Sequence, residues 1–257
     1  MSQTQNIHTP EEIARIRVAA AVTAQVRDQL AAAVRPGMTT FDLDCLAGEF
    51  IRATGGVSAF LGYYGYPANV CISVNDVVIH GIGSPEVVIA EHDLVSIDVG
   101  VKLNSAVGDT AVTVAVGGVT DPAVKRLMDG TQEALQAGIH AALPGCRVSD
   151  ISRALEQVAK KHHLGIVRDY VGHGCGTKMH EPPEVPNYTG WGRGAPLRPG
   201  MVLCLEPMLT LGSEQVVTDR HDHWTVRTVD GSLSAHFEHM ILITDNEPEI
   251  LSWQKTM

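Results

Sequence analysis

LVSIDVGVKLNSAVGDTAVTVAV (residues 94–116) reads as two strands joined by a turn near Asn104-Ser105. Branched Val and Ile fit a pleated, half-buried surface, which is why such runs favour β-structure. Each strand carries one carboxylate, Asp98 in the first and Asp109 in the second. An acid inside an apolar strand is costly to desolvate unless something positive offsets it. Side chains alternate faces along a strand, so the register decides whether the two acids meet. A turn at Leu103-Asn104 sets them directly opposite. A turn at Asn104-Ser105 pairs Asp98 with Ala111 and leaves Asp109 as its diagonal neighbour on the same face. Either register holds the carboxylates roughly 5–8 Å apart. Like charges that close raise a pKa or demand a cation, so the pair reads as half of a metal cage.

The rest of the composition narrows the class. A chain of 257 residues, 44% hydrophobic and with 25 glycines, buries a full core as one or two domains. Its 19 basic against 29 acidic side chains leave a net charge of −10, which argues against a general nucleic-acid or anionic-membrane surface. No apolar run approaches the ~20 residues that span a bilayer. The five cysteines, Cys45, Cys71, Cys146, Cys175 and Cys204, are odd in number and lack CxxC spacing. That pattern suits reduced thiols in a cytosol. The opening MSQTQNIHTP has no apolar core of a signal peptide. The expectation is a cytoplasmic protein.

Outward from the hairpin, punctuation residues set the elements. Thr9 and Glu12 form a capping box with Pro10 at the first helical position, predicting a helix to about Arg35. A second helix is expected from near Thr40 to Gly55-Gly56. Strands follow at 70–74 and 77–80 around an Asn75-Asp76 turn. Asp121-Pro122 opens a third helix that ends at Pro144-Gly145. Ser149 is read as capping a fourth, which ends at Gly165. Then come a Gly/His loop at 172–176, a Pro-rich loop at 181–199, a strand at 201–211, a hairpin around Asp230-Gly231 and a last strand at 235–244. Three landmarks recur 108 residues apart: Pro36-Gly37 with Pro144-Gly145, Asp42 with Asp150, and Asp98 with Glu206. The expected organisation is α/β (α+β), with two similar halves, about 10–120 and 121–245, packed about a pseudo-twofold axis around a central antiparallel sheet.

Glu206 in MVLCLEPML and Glu238 in SAHFEHMILIT repeat the buried-acid problem. Alone, each reads more readily as a paired or edge-exposed acid. Four acids in four apolar strands point to shared cations, and two divalent ions suit that much charge better than one. His80, His173 and His180 stand where such a site could use them; Gly172 and Gly174 flank His173 and allow close backbone approach. His221, His223, His236 and His239 are weaker candidates, because alternation turns His236 and His239 to the face opposite Glu238.

These residues together resemble a type I methionine aminopeptidase of the short bacterial form. The resemblance lies in CISVNDVVIHGIG (71–83), LVSIDVGVKLNSAVGDTAVTV (94–114), YVGHGCGTKMHEPPEVPNY (170–188), LCLEPM (203–208) and SAHFEH (234–239). It implies the pseudo-symmetric pita-bread fold and removal of N-terminal methionine from peptides and nascent chains whose second residue is small. The metal ligands implied are Asp98, Asp109, His173, Glu206 and Glu238, for two divalent ions drawn from Co, Mn, Fe or Zn. Asp109 and Glu238 would bridge them. His80, His180 and Glu206 take the catalytic positions. The methionine pocket falls on Phe60, Tyr63, Tyr66, Cys71, Met179 and Trp224, with His80 and His180 also touching substrate. Asn75, Val77 and Ser234 match a monovalent-cation site built on backbone carbonyls. The resemblance further implies a monomer that meets nascent chains, transiently at the ribosome, with no nucleic acid or membrane partner. Phe60, Cys175, Lys178 and Met179 depart from the family's usual residues. Two rivals share the pattern in part: an X-Pro aminopeptidase or prolidase, which carries the same ligands behind a large N-terminal domain, and a non-catalytic binding module of the same fold.

Overall fold

The computed structural model describes residues 6–190 and 192–253. Four helices are built where the caps demand: α1, Pro10–Ala33; α2, Thr40–Ala53; α3, Pro122–Ala141; and α4, Val148–Lys161. The Thr9 hydroxyl accepts from the Glu12 N–H while the Glu12 carboxylate accepts from the Thr9 N–H. α1 stops two residues before Arg35, since the residue ahead of Pro36 is pushed out of the helical region. At α4 the expected Ser149 cap is not the one used. The cap is Arg147, whose N–H donates to Asp150 at 2.9 Å. Asp150 does there what Asp42 does for Thr39 ahead of α2. α4 also ends at Lys161, short of Gly165, because Gly165 already pairs with Thr210 in a strand.

The 108-residue offset extends further than the sequence landmarks. α2 and α4 are both 14 residues long and start 108 apart. The isolated bridges Thr39↔Val88 and Arg147↔Pro196 match at the same offset. So do the left-handed turn residues Gly37 (φ +86°) and Gly145 (φ +84°).

The hairpin pairs Leu94–Leu103 with Ala106–Ala115. Asn104 and Ser105 both take positive φ, 50° and 61°, the two-residue turn that matches strand twist. Asp98 therefore faces Ala111, and Asp109 faces Gly100: the second of the two registers. Cys71–Val74 joins on the other edge and sets Cys71 opposite Asp98. α1 lies across this sheet so closely that a Cβ at Gly108 would stand 2.5 Å from the Ala19 carbonyl oxygen. Gly108→Ala is expected to cost ~1–3 kcal/mol or more, lowering Tm by roughly 2–4 °C per kcal/mol. An unchanged melt would contradict this packing.

In the second half, α3 and α4 bury Leu127, Leu135, Leu155 and Ile151 against Leu203, Leu205 and Ile241. The expected loop at 172–176 contains a strand, Gly172–Gly174, between Val202–Leu205 and the strand Glu181–Val185, which opens the expected Pro-rich loop. Only glycine allows that pairing at 174, where a Cβ would meet the Pro182 carbonyl oxygen at 2.6 Å.

Two expected strands are each broken in the middle. Residues 201–211 divide into Val202–Leu205 and Met208–Thr210, and 235–244 into Ser234–His236 and His239–Leu242. The pairs Leu205↔His239 and Met208↔His236 set the two breaks opposite one another. Pro207 supplies no N–H to continue its ladder. The Glu238 N–H bonds instead to the Ala111 carbonyl at 3.0 Å. The kinked strand is thereby stitched to the aspartate hairpin, and acids from both halves reach one place.

Candidate metal centre

Asp98 and Asp109 arrive on neighbouring strands, His173 on the short Gly172–Gly174 strand, and Glu206 and Glu238 at the two breaks. The structure brings all five expected ligands to one cavity. His173 Nε2 lies 3.4 Å from Glu206 Oε1 and 3.7 Å from Asp109 Oδ2. Ligand atoms of Asp109, His173, Cys204 and Glu238 all fall within 4.8 Å of one another. The His173 Nδ1–H donates to the Gly174 carbonyl at 2.9 Å, which turns the Nε2 lone pair toward the acids.

Burial governs the electrostatics. It lifts the Asp98 carboxyl to about 7. It raises Asp109 well above the ordinary carboxylate range, with Glu238 and Asp98 adding repulsion. Glu206 rises through burial and then Asp109 and Asp98, and Glu238 through burial and then Glu206 and Asp98. Among the described residues no lysine or arginine pairs with any of the four. Asp98 Oδ1, Asp109 Oδ1 and Glu238 Oε1 are buried without a hydrogen-bond partner. Buried lone pairs in that state call for a cation. The mixed carboxylate and imidazole donors fit Mn, Fe, Co or Zn.

A pH dependence follows. An acid whose pKa is higher folded than unfolded destabilises the fold once ionised, and the penalty is relieved as pH falls through the folded pKa. Chelator-treated protein should therefore gain Tm between pH 9 and pH 7, as the four raised acids take up protons. Below that window the histidines whose pKa values burial lowers pull the other way. Protein given divalent metal should lose that trend, because the cation offsets the same charge. Paired thermal melts test this; a chelated protein less stable at pH 7 than at pH 9 would contradict it.

The same cavity, of about 220 Å³, is also lined by Phe60, Tyr63, Tyr66, Cys71, Met179 and Trp224, and by His80 and His180. Sequence reasoning missed Tyr64, Ile79, Tyr170 and Val171 of the same wall. His80 takes φ +58° and sits edge-on between Tyr170 and Trp224, ring centroids 5.5 and 6.0 Å away. Burial, then His180, lowers its pKa to about 4. The Tyr63 hydroxyl meets His180 Nδ1 at 2.8 Å and its ring stacks on the imidazole; burial lowers His180 too. Both rings are neutral near pH 7.

The loop carrying Met179 and His180 is pinned by Glu181. Its carboxylate accepts from the Thr177 and Lys178 N–H groups at 2.9 and 2.8 Å and from the Asn6 amide. His8 Nε2 stands 3.2 Å away. Burial opposes ionisation, but the nearby His8 ring and the donors from Thr177, Lys178 and Asn6 prevail and bring Glu181 to about 2. Elsewhere, the Ser234 hydroxyl donates to the Asn75 and Val77 carbonyls at 3.2 and 3.0 Å, so the three residues expected to hold a monovalent cation lie together.

Two residues outside the expected ligand set stand here. Cys204 Sγ lies 3.7 Å from Asp109 Oδ2; its spacing of two from Glu206 was the available signal. His236 was expected on the far face. The break at Phe237-Glu238 ends the alternation that reading relied on, and His236 Nε2 stands 3.8 Å from Glu206 Oε2. His239 does turn away, to Ser252.

Residues 14–245 match the metallopeptidase family M24. A methionine aminopeptidase of Clostridium acetobutylicum is 45% identical over 96% of this chain and 98% of its own length. Methionine aminopeptidase 1 of Bacillus subtilis is 42% identical over 95% of this chain and 97% of its own. The crystal structure of methionine aminopeptidase from Thermotoga maritima superposes with a TM-score of 0.94 at 41% identity, covering 98% of this chain and all of that one. A prolidase from Pyrococcus furiosus shares the fold alone, with a TM-score of 0.76 at 21% identity over 66% of its length.

Proposed function

This chain belongs to metallopeptidase family M24, and we propose that it removes N-terminal methionine with a pair of divalent ions, from peptides and nascent chains whose second residue is small. The observation that carries this reading is the cage of four carboxylates, Asp109 and Glu238 buried and Asp98 and Glu206 partly so, with one imidazole and, among the described residues, no lysine or arginine partner, in a cavity lined by aromatic and thioether side chains. Asp98, Asp109, His173, Glu206 and Glu238 would hold the ions. When bound, two such ions supply hydroxide near neutral pH and polarise the scissile carbonyl.

The remaining work falls to the chain's own groups. Glu206 carries a proton from the attacking water to the leaving amine. Tyr63 pairs with Nδ1 of His180, and the tautomer protonated on Nε2 would serve the oxyanion that forms at the carbonyl. His80, neutral and locked between two aromatic rings, meets the peptide nitrogen. Phe60, Tyr63, Tyr66, Cys71, Met179 and Trp224 offer polarizable contacts to the methionine thioether. Asn75, Val77 and Ser234 would hold a monovalent cation. We place the chain in the cytoplasm as a monomer of one domain, built from halves at about 10–120 and 121–245, meeting nascent chains transiently at the ribosome.

Peptides test the reading. Met-Ala-Met should be cleaved far faster than Met-Leu-Met, and Ala-Pro peptides not at all. Preferential cleavage of Ala-Pro would make it a prolidase-like enzyme. No cleavage of any peptide by metal-loaded protein would make it a binding module.

A further inference from the structure

The strand break that delivers Glu238 also turns His236 inward. His236 is 1% exposed, and its Nε2 has no hydrogen-bond partner. A buried polar atom left in that state is rare in native structures. The acceptor set before it is Glu206 Oε2 at 3.8 Å, while Glu206 Oε1 lies 3.4 Å from His173 Nε2. The two oxygens of one carboxylate are thus divided between two imidazoles. Thr113 fixes the His236 backbone twice, accepting from its N–H and donating to its carbonyl, both at 2.8 Å. The ring is therefore presented from a rigid strand.

We propose that His236 is a positioning residue for Glu206, its Nε2–H donating to Glu206 Oε2 and so reserving Oε1 for the side that faces His173. The inference rests on the reading of Glu206 as metal ligand and proton carrier. Catalytic hydrogen bonds are often long without substrate and tighten in the reacting complex. A carboxylate ligand left free to rotate would present the wrong oxygen, which is why groups behind a ligand set its affinity.

The test compares His236→Phe, which keeps the ring outline without a donor, and His236→Gln, which restores an N–H near the same place. Isothermal titration of metal-free protein with Mn(II) is run beside kcat and KM on Met-Ala-Met. His236→Phe should lose ~10–100-fold in Mn(II) affinity and in kcat, with KM little changed, and His236→Gln should recover most of both. Two results overturn the proposal: a His236→Phe protein indistinguishable from the unaltered one, or equal losses in both variants, which would make the ring mere packing. Absence of Mn(II) binding by the unaltered protein would overturn the metal reading as well. Normal binding there, with an unchanged His236→Phe, overturns only this inference.

Discussion

Asp109→Asn is expected to abolish metal binding and peptidase activity together, while the metal-free protein melts no lower than before. Asp109 is 2% exposed, and one of its oxygens has no partner. Its other oxygen stands near His173 Nε2 and Cys204 Sγ, each at 3.7 Å. Burial and the charges of Glu238 and Asp98 all oppose its ionisation. Asparagine keeps the shape, removes the repulsion and removes the charge a shared cation needs. Losing a ligand should exceed the ~10–100-fold that follows from losing a group behind one. Titration calorimetry, peptide kinetics and a chelated thermal melt read the three effects. A variant that keeps both metal and activity would reject the ligand role, and one that melts lower without metal would show Asp109 to be structural.

His80→Ala should instead separate metal from turnover, lowering kcat ~10²–10⁴-fold with bound metal unchanged. His80 lines the pocket but is not among the acids, and both its ring contacts are aromatic. Its backbone is left-handed at φ +58°, so alanine there adds strain unrelated to chemistry. Asparagine adopts that conformation more readily. His80→Asn is therefore the cleaner variant, and it should be as slow as His80→Ala. If His80→Asn turned over normally, the imidazole would have no part in the reaction.

The hairpin was legible because its turn residues and its acids are local: Asn104-Ser105 fixes the register, and the register fixes Asp98 against Asp109. Glu206 and Glu238 were legible because an acid is conspicuous in an apolar run. What alternation could not supply was the pair of facing breaks, since they arise from tertiary pairing across the two halves. His236 was misplaced for that reason alone. The Gly172–Gly174 strand was hidden because glycine has little strand preference, and it pairs only where neighbouring carbonyls come too close for a side chain. Arg147 was missed as a cap because the bond comes from its backbone, with Asp150 reaching back. The pocket was found only through resemblance: Phe60 and Tyr63 lie more than a hundred residues from Met179 and Trp224, and each looks like ordinary core.

The claim beneath all of this is that two cations complete the buried acids. Protein purified without air and stripped of metal, titrated with Mn(II) and counted by elemental analysis, tests it most directly. Two ions per chain, lost in Asp109→Asn, is the expected result; no uptake, or uptake indifferent to that substitution, would contradict it.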